Sequence, residues 1–133
     1  MVENLHSIKY VSRSLVSGDL GELDRLRKQC HSANAEHGVT GALYYGDQVF
    51  FQVLEGPAQK LEQLHANLLR DLRHTDFKLL SQTEITHRFF SKWDMKFVNG
   101  DLNPTMFAAF TYDSLSAATP AEINQHEIEL RLA

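Results

Sequence analysis

Residues 39–57 read VTGALYYGDQVFFQVLEGP, and this stretch decides the fold class. Val39 to Tyr45 has an extended, β-rich pattern, and Gly46-Asp47-Gln48 supplies a turn. Val49-Phe50-Phe51-Gln52-Val53-Leu54 is the returning strand. The spacing predicts a hairpin with a short loop. Apolar residues occupy both faces of the second strand, which places it centrally in a sheet covered on both sides. Gly56-Pro57 stops it.

Upstream, Ser7 to Ser12 (SIKYVS) alternates and reads as a strand. Asp19-Leu20-Gly21-Glu22 has capping-box spacing. Behind it Leu23, Leu26, Cys30 and Ala33 recur at helical intervals, so a helix is expected over residues 20–33 with Asn34 at its end. Downstream, Leu61, Leu64, Leu68 and Leu72 mark a second helix over residues 58–70, which also carries His65 and Asn67. Phe77 to Ile85 reads as a fourth strand. After the Phe89-Phe90 loop, Trp93, Met95 and Phe97 alternate with Asp94 and Lys96 as a fifth.

The order is βαββαββ, an α+β pattern close to the ferredoxin-like motif. It implies a five-stranded mixed sheet with two helices on one face. Beyond Asn99, Asn103-Pro104 and Thr119-Pro120-Ala121-Glu122 each place a cap residue before proline. They predict a C-terminal helical appendage, with helices over residues 104–115 and 120–132. Its Ile123, Ile128, Leu130 and Leu132 need a surface to cover, either the open face of the sheet or a second subunit.

A chain of 133 residues with 43% hydrophobic side chains fits one globular domain with a core. Thirteen basic against 17 acidic residues give a formal charge of −4, which weighs against nucleic acid or an anionic membrane as partner. The lone cysteine, Cys30, leaves no internal disulfide and no thiolate cluster. The opening MVENLHSIKY lacks the basic and apolar regions of a secretory signal. The longest fully apolar run, Met106 to Phe110, is too short to span a bilayer. A cytoplasmic location is the expectation.

The seven histidines lack metal-ligand spacing, and no phosphate loop, nucleophile elbow or His-Glu-x-x-His segment is present. Three polar residues interrupt apolar runs. Gln52, within FFQVLEG, must find partners for both ends of its amide. Taken alone it reads as a satisfied core glutamine, Asn34 as a helix cap and Tyr10 as an ordinary strand tyrosine.

Taken in order they say more. Tyr-Val-Ser-Arg-Ser at residues 10–14 comes first, then Asn34 six residues before Thr40-Gly41. Phe51-Gln52-Val53-Leu54-Glu55-Gly56, Arg70-Asp71-Leu72-Arg73-His74 and Trp93-Asp94-Met95 follow. This series resembles the BLUF family, blue-light sensors that use flavin, over about residues 5–98. The resemblance implies a photosensor domain over residues 1–98 and a helical extension over 99–133. It implies a flavin, usually FAD, held between the two helices. Asn34 would bond the polar edge of the ring and Cys30 would lie against it. Asn67, Asp71, Arg73 and His74 would stand near the ring or the ribityl-phosphate end. Tyr10 and Gln52 would form the photoactive centre, with Trp93 and Met95 on one face of the fifth strand as the moving element.

Ala33 stands where many members carry a polar side chain, so one flavin contact is missing, and Cys30 where a small hydroxyl residue is frequent. Asn67 stands where a basic residue can reach the phosphate, which leaves FMN and riboflavin open beside FAD. The resemblance implies a light-driven switch and no enzyme. It would signal to a separate effector protein, with homo-oligomers formed through the appendage. Two alternatives share a similar topology. A small acylphosphatase-type enzyme would use Arg13 in an anion-cradling loop, but Ser12-Arg13-Ser14-Leu15-Val16 lacks the glycines for one. An RNA-binding sheet would want a basic surface.

Overall fold

The computed structural model describes residues 4–133. The hairpin forms as the sequence dictates. Strand β2 (Thr40–Gly46) turns through Asp47 and Gln48 into β3 (Val49–Pro57). Both turn residues have positive φ, 46° and 61°, the geometry that matches the twist of a tight hairpin. Strand β1 (Leu5–Ser14) pairs antiparallel with β3 and with β4 (His74–Glu84), and β5 (Lys96–Asn99) joins β2 in parallel. The order β4-β1-β3-β2-β5 gives a five-stranded mixed sheet with β3 at its centre, an α+β ferredoxin-like fold.

Helices α1 (Leu20–His37) and α2 (Ala58–Leu69) lie on one face. Asp19 caps α1 by accepting from the Glu22 amide, as the capping spacing predicts. The helix runs a turn beyond residue 33, so Asn34 sits inside it. The stop is Gly38, whose left-handed φ of 65° a glycine adopts without strain. The apolar stripe ends earlier because the last turn faces polar surroundings.

Alternation along β3 divides the core. Phe50 and Leu54 join Leu23, Leu26 and Leu61 beneath the helices, whereas Phe51 and Val53 face the opposite side. That far side is covered by the chain's own C-terminal segment. Phe107, Phe110, Leu115, Ile123 and Leu130 pack onto it with Tyr44, Phe51 and Val98. Of the two surfaces the appendage needed to choose between, it covers the sheet.

Two expected elements differ. After a 3-10 turn (Gly100–Leu102), the expected helix over 104–115 reduces to a series of turns and a short α3 (Tyr112–Ser116). Asn103 starts a turn, but Thr111 re-caps the chain by accepting from the Ser114 amide at 3.1 Å. Phe107 and Phe110 both pack on the Tyr44 ring, with centroids 5.3 and 4.6 Å away. Helix α4 (Pro120–Leu132) forms as expected, opened by a full Thr119–Glu122 capping box.

The second difference concerns Trp93 and Met95. Strand β5 begins only at Lys96, so neither residue belongs to it, and they do not share a face. Trp93 packs with Phe90 in the far-side core, while Met95 is buried beneath the helices. Residues 91–95 run as turn and bend, held by Gly41 N–H donating to Trp93 O and Asn34 Nδ2 to Asp94 O. A period of two therefore does not apply there. Among the described residues no helix is long and apolar enough to cross a membrane.

Candidate functional site

Between α1, α2 and the sheet lies a cavity of about 290 Å³, near the lower end for small-molecule sites. Tyr10, Cys30, Asn34, Gln52, Asn67, Asp71, Arg73 and His74 all line it. Each stands there for a local reason. Tyr10 and Gln52 face each other across the central β1–β3 ladder. Cys30 and Asn34 are one turn apart on α1 and so share a face. Asn67 is on the last turn of α2, Asp71 and Arg73 follow on the connection into β4, and His74 opens that strand.

The Tyr10 hydroxyl donates to Gln52 Oε1 in a short hydrogen bond. The other end of the amide, Nε2, points to Met95 Sδ at 3.8 Å. Burial, with help from Cys30 and Asp71, holds the Tyr10 phenol well above its ordinary pKa against the pull of Arg73, so it remains a donor. Its ring is braced by Phe77 at 4.7 Å and by the edge of His74 at 6.1 Å.

Asn34 is 3% exposed and spends its Nδ2 on Asp94 O at 2.7 Å. Its Oδ1 has no hydrogen-bond partner among the described residues and stands beside the cavity as an acceptor. Burial pushes the Cys30 thiol up to about 11, with Arg73 opposing and Asp71 adding to the rise, so this wall is uncharged. At the rim Arg73 grips Asp71 through two donors, Nε at 2.9 Å and Nη2 at 2.6 Å. That bonding holds the Asp71 carboxyl below the usual carboxylate range. His74 Nε2 meets Leu68 O at 2.7 Å; a carbonyl only accepts, so Nε2 carries the proton there. Its Nδ1 is 2.8 Å from Ser12 Oγ.

These features fit a flat, partly polar ring. The floor is Leu43, Phe50 and Leu54, the walls are Leu26, Leu64 and Leu68, and a few convergent amides supply polar contacts. Gln29, which accepts from Arg73 Nη1, also lines the cavity and was not singled out from the sequence. Its position one turn before Ala33 on α1 was the available signal. Trp93 does not line the cavity.

The family model described as sensors of blue-light using FAD, BLUF, matches residues 5–96. The chain belongs to the BLUF family. BLUF proteins bind a flavin, and the cavity has the residues to receive one. The photoactivated adenylate cyclase subunit beta of Euglena gracilis is 33% identical over 95 residues, covering 70% of this chain and 11% of that protein. The chain thus spans only a small part of these curated relatives. BlsA in its photo-activated state superposes with a TM-score of 0.84 at 27% identity, over 97% of this chain and 96% of that one. A bacterial light-regulated adenylyl cyclase superposes with a TM-score of 0.72 at 30% identity, over 96% of this chain and 36% of that one. BlrB in its dark state, 23% identical with a TM-score of 0.77 over 99% of this chain and 97% of that one, shares the fold.

The acylphosphatase alternative finds no support. Arg13 is outside the cavity, paired with Asp76 at 3.1 Å and lying over the Tyr112 ring at 4.0 Å.

Proposed function

We propose that this BLUF protein is a blue-light photoreceptor that holds oxidised FAD between α1 and α2 and switches through the Tyr10–Gln52 pair. The observation that carries the proposal is the hydrogen bond from the Tyr10 hydroxyl to Gln52 Oε1 beside the cavity. FAD is preferred over FMN and riboflavin because the family is described by it.

A bound flavin supplies absorption of blue light and, once excited, the power to remove one electron from a near neighbour. Tyr10 is that neighbour. Its phenol, kept protonated by burial, becomes strongly acidic on losing an electron, and the proton leaves along the bond to Gln52 Oε1. The Gln52 amide has a donor end and an acceptor end, and rotation or tautomerisation exchanges them. Tyr10 would retake its proton while the Gln52 amide would keep its exchanged arrangement, with Nε2 turned from Met95 Sδ toward the cavity, and a small red shift would report the change. Asn34 Oδ1 and the neutral Cys30 thiol orient the ring, while Asp71 and His74 fix the α2 side.

No substrate is turned over in this scheme. Residues 1–98 act as the sensor, and residues 99–133, which follow β5 directly, pass the change by contact to a separate effector protein in the cytoplasm, with homo-oligomers as the working form. The relatives named as photoactivated cyclases support a light-controlled output. The test is the absorption spectrum of the purified chain, offered FAD, FMN and riboflavin in turn, before and after blue light. Flavin bands that shift to the red and revert in darkness are expected. Failure to take up any of the three, or bands unmoved by light, would sink the proposal.

A further inference from the structure

The segment before β5 is where the cavity's two buried amides converge. Gln52 Nε2 points to Met95 Sδ, and Asn34 Nδ2 donates to Asp94 O. The next residue, Lys96, opens β5 opposite Ala42 of β2. Its side chain leaves the strand on the other side of the sheet from Met95. There its ammonium donates to the main-chain oxygens of Arg131 and Ala133, each at 2.8 Å, and lies 4.8 Å over the Trp93 ring.

The carbonyls at a helix C-terminus have no partner within the helix, and the negative end of the helix dipole favours a cation. Lys96 supplies both needs for α4. The rest of α4 is fastened differently. Its first turn is closed by the capping box, and its middle by the buried Lys9–Glu127 ion pair at 3.3 Å. Neither of these ties runs through the segment at 94–95. The sheet's side-chain hydrogen bonds to the last turn, among the described residues, come from Lys96.

We propose that Lys96 is the coupling residue of this photosensor: it carries a rearrangement at Gln52 and Asn34 across the sheet to the last turn of α4, whose docking then changes. The inference rests on the photoreceptor reading above. Met95 and Lys96 are consecutive, so a displacement of one backbone moves both side chains, one in the cavity wall and one at the helix end. The middle of α4 stays clamped while its last turn loosens. Leu130 in that turn stays buried in the far-side core, so the effector reads its exposed side, where Leu132 stands open to solvent with Ile128 just before it.

The experiment is amide hydrogen exchange of the flavin-loaded whole chain in darkness and under blue light, followed at residues 129–133 and at Ile123. In the wild type, exchange of the last turn should differ about tenfold between dark and light, the effect of losing one charge-assisted hydrogen bond, with Ile123 unchanged. Lys96→Met should keep the red shift and abolish the light–dark difference, and Lys96→Arg should restore it. A purely structural lysine would instead speed exchange equally in both states. Lys78, which donates to Ser116 O at 2.6 Å on α3, is the control, and Lys78→Met should leave the difference intact. A light–dark difference that survives Lys96→Met overturns the inference. So does a wild type that shifts its spectrum without changing the last turn. A wild type with no red shift would instead remove the reading beneath it.

Discussion

Tyr10 and Gln52 are direct cross-strand partners on β1 and β3, and the hydroxyl of one donates to the amide oxygen of the other. Both strands are interior to the sheet, with β1 between β4 and β3 and β3 between β1 and β2. Their backbones are paired on both sides, so the pair can exchange hydrogen bonds while its Cα atoms stay fixed. The amide is the moving part.

Removing that amide should separate binding from switching. Gln52→Leu retains a buried, apolar cavity wall but leaves the Tyr10 hydroxyl without its acceptor, at a cost of about 1–3 kcal/mol. The variant should still take up flavin, with its resting spectrum displaced. A reversible shift of wild-type size in this variant would move the switch away from Gln52.

The Asp71–Arg73 pair makes a pH prediction. Arg73 holds the Asp71 carboxyl below its ordinary 3.8, so this group contributes stability that is present above about pH 4 and is lost as pH falls through the depressed folded value. The carboxylate is partly open to water, and its share is correspondingly small. Asp71→Asn should flatten the acid limb of a urea-midpoint profile measured from pH 7 to pH 2. An unchanged acid limb would show that other carboxylates set it.

Lys9 and Glu127 are 5% and 4% exposed and pair at 3.3 Å across the β1–α4 contact. Burial holds the Glu127 carboxyl above its ordinary range despite Lys9, and Glu127 Oε1 has no hydrogen-bond partner among the described residues. Glu127→Gln, which strands the ammonium, should cost about 3–5 kcal/mol in urea unfolding. The double variant Lys9→Met with Glu127→Leu should recover most of that loss or exceed the wild type. A double variant weaker than either single one would mean the pair stabilises on balance.

Phe110 anchors the C-terminal segment. It is 2% exposed, with Tyr44 at 4.6 Å, His126 at 4.7 Å and Phe107 at 5.2 Å by ring centroid. Phe110→Ala should cost about 3–5 kcal/mol, measured by denaturant unfolding. It leaves the cavity residues in place, so flavin uptake should persist below the melting range. Loss of less than 1 kcal/mol would indicate that the far face repacks.

The strands, both cavity helices and α4 were legible because their signals are local: alternation, a capping box, a proline at the helix start. Tyr10, Asn34, Gln52, Asp71, Arg73 and His74 were legible in an ordered series that resembles a family, and Cys30 and Asn67 through what that resemblance implies; all of them line one cavity. What was not legible depended on tertiary contacts. Trp93 and Met95 alternate in sequence as a strand would, yet the hydrogen bonds from Gly41 and Asn34 draw residues 91–95 into a bend, and the two side chains part to opposite sides. Residues 104–111 have a helix-start signal, but the chain runs there as turns, with Phe107 and Phe110 packed on Tyr44, and starts a helix only at the Thr111 cap. The extra turn of α1 was hidden because its stop, Gly38, stands beyond the last apolar position of the stripe.

The most direct test of the Tyr10–Gln52 switch is the light-minus-dark absorption difference of flavin-loaded wild type beside Tyr10→Phe. The wild type should show a small red shift that decays in darkness, and Tyr10→Phe should bind flavin and show none. A Tyr10→Phe variant with a normal, reversible red shift would contradict the account.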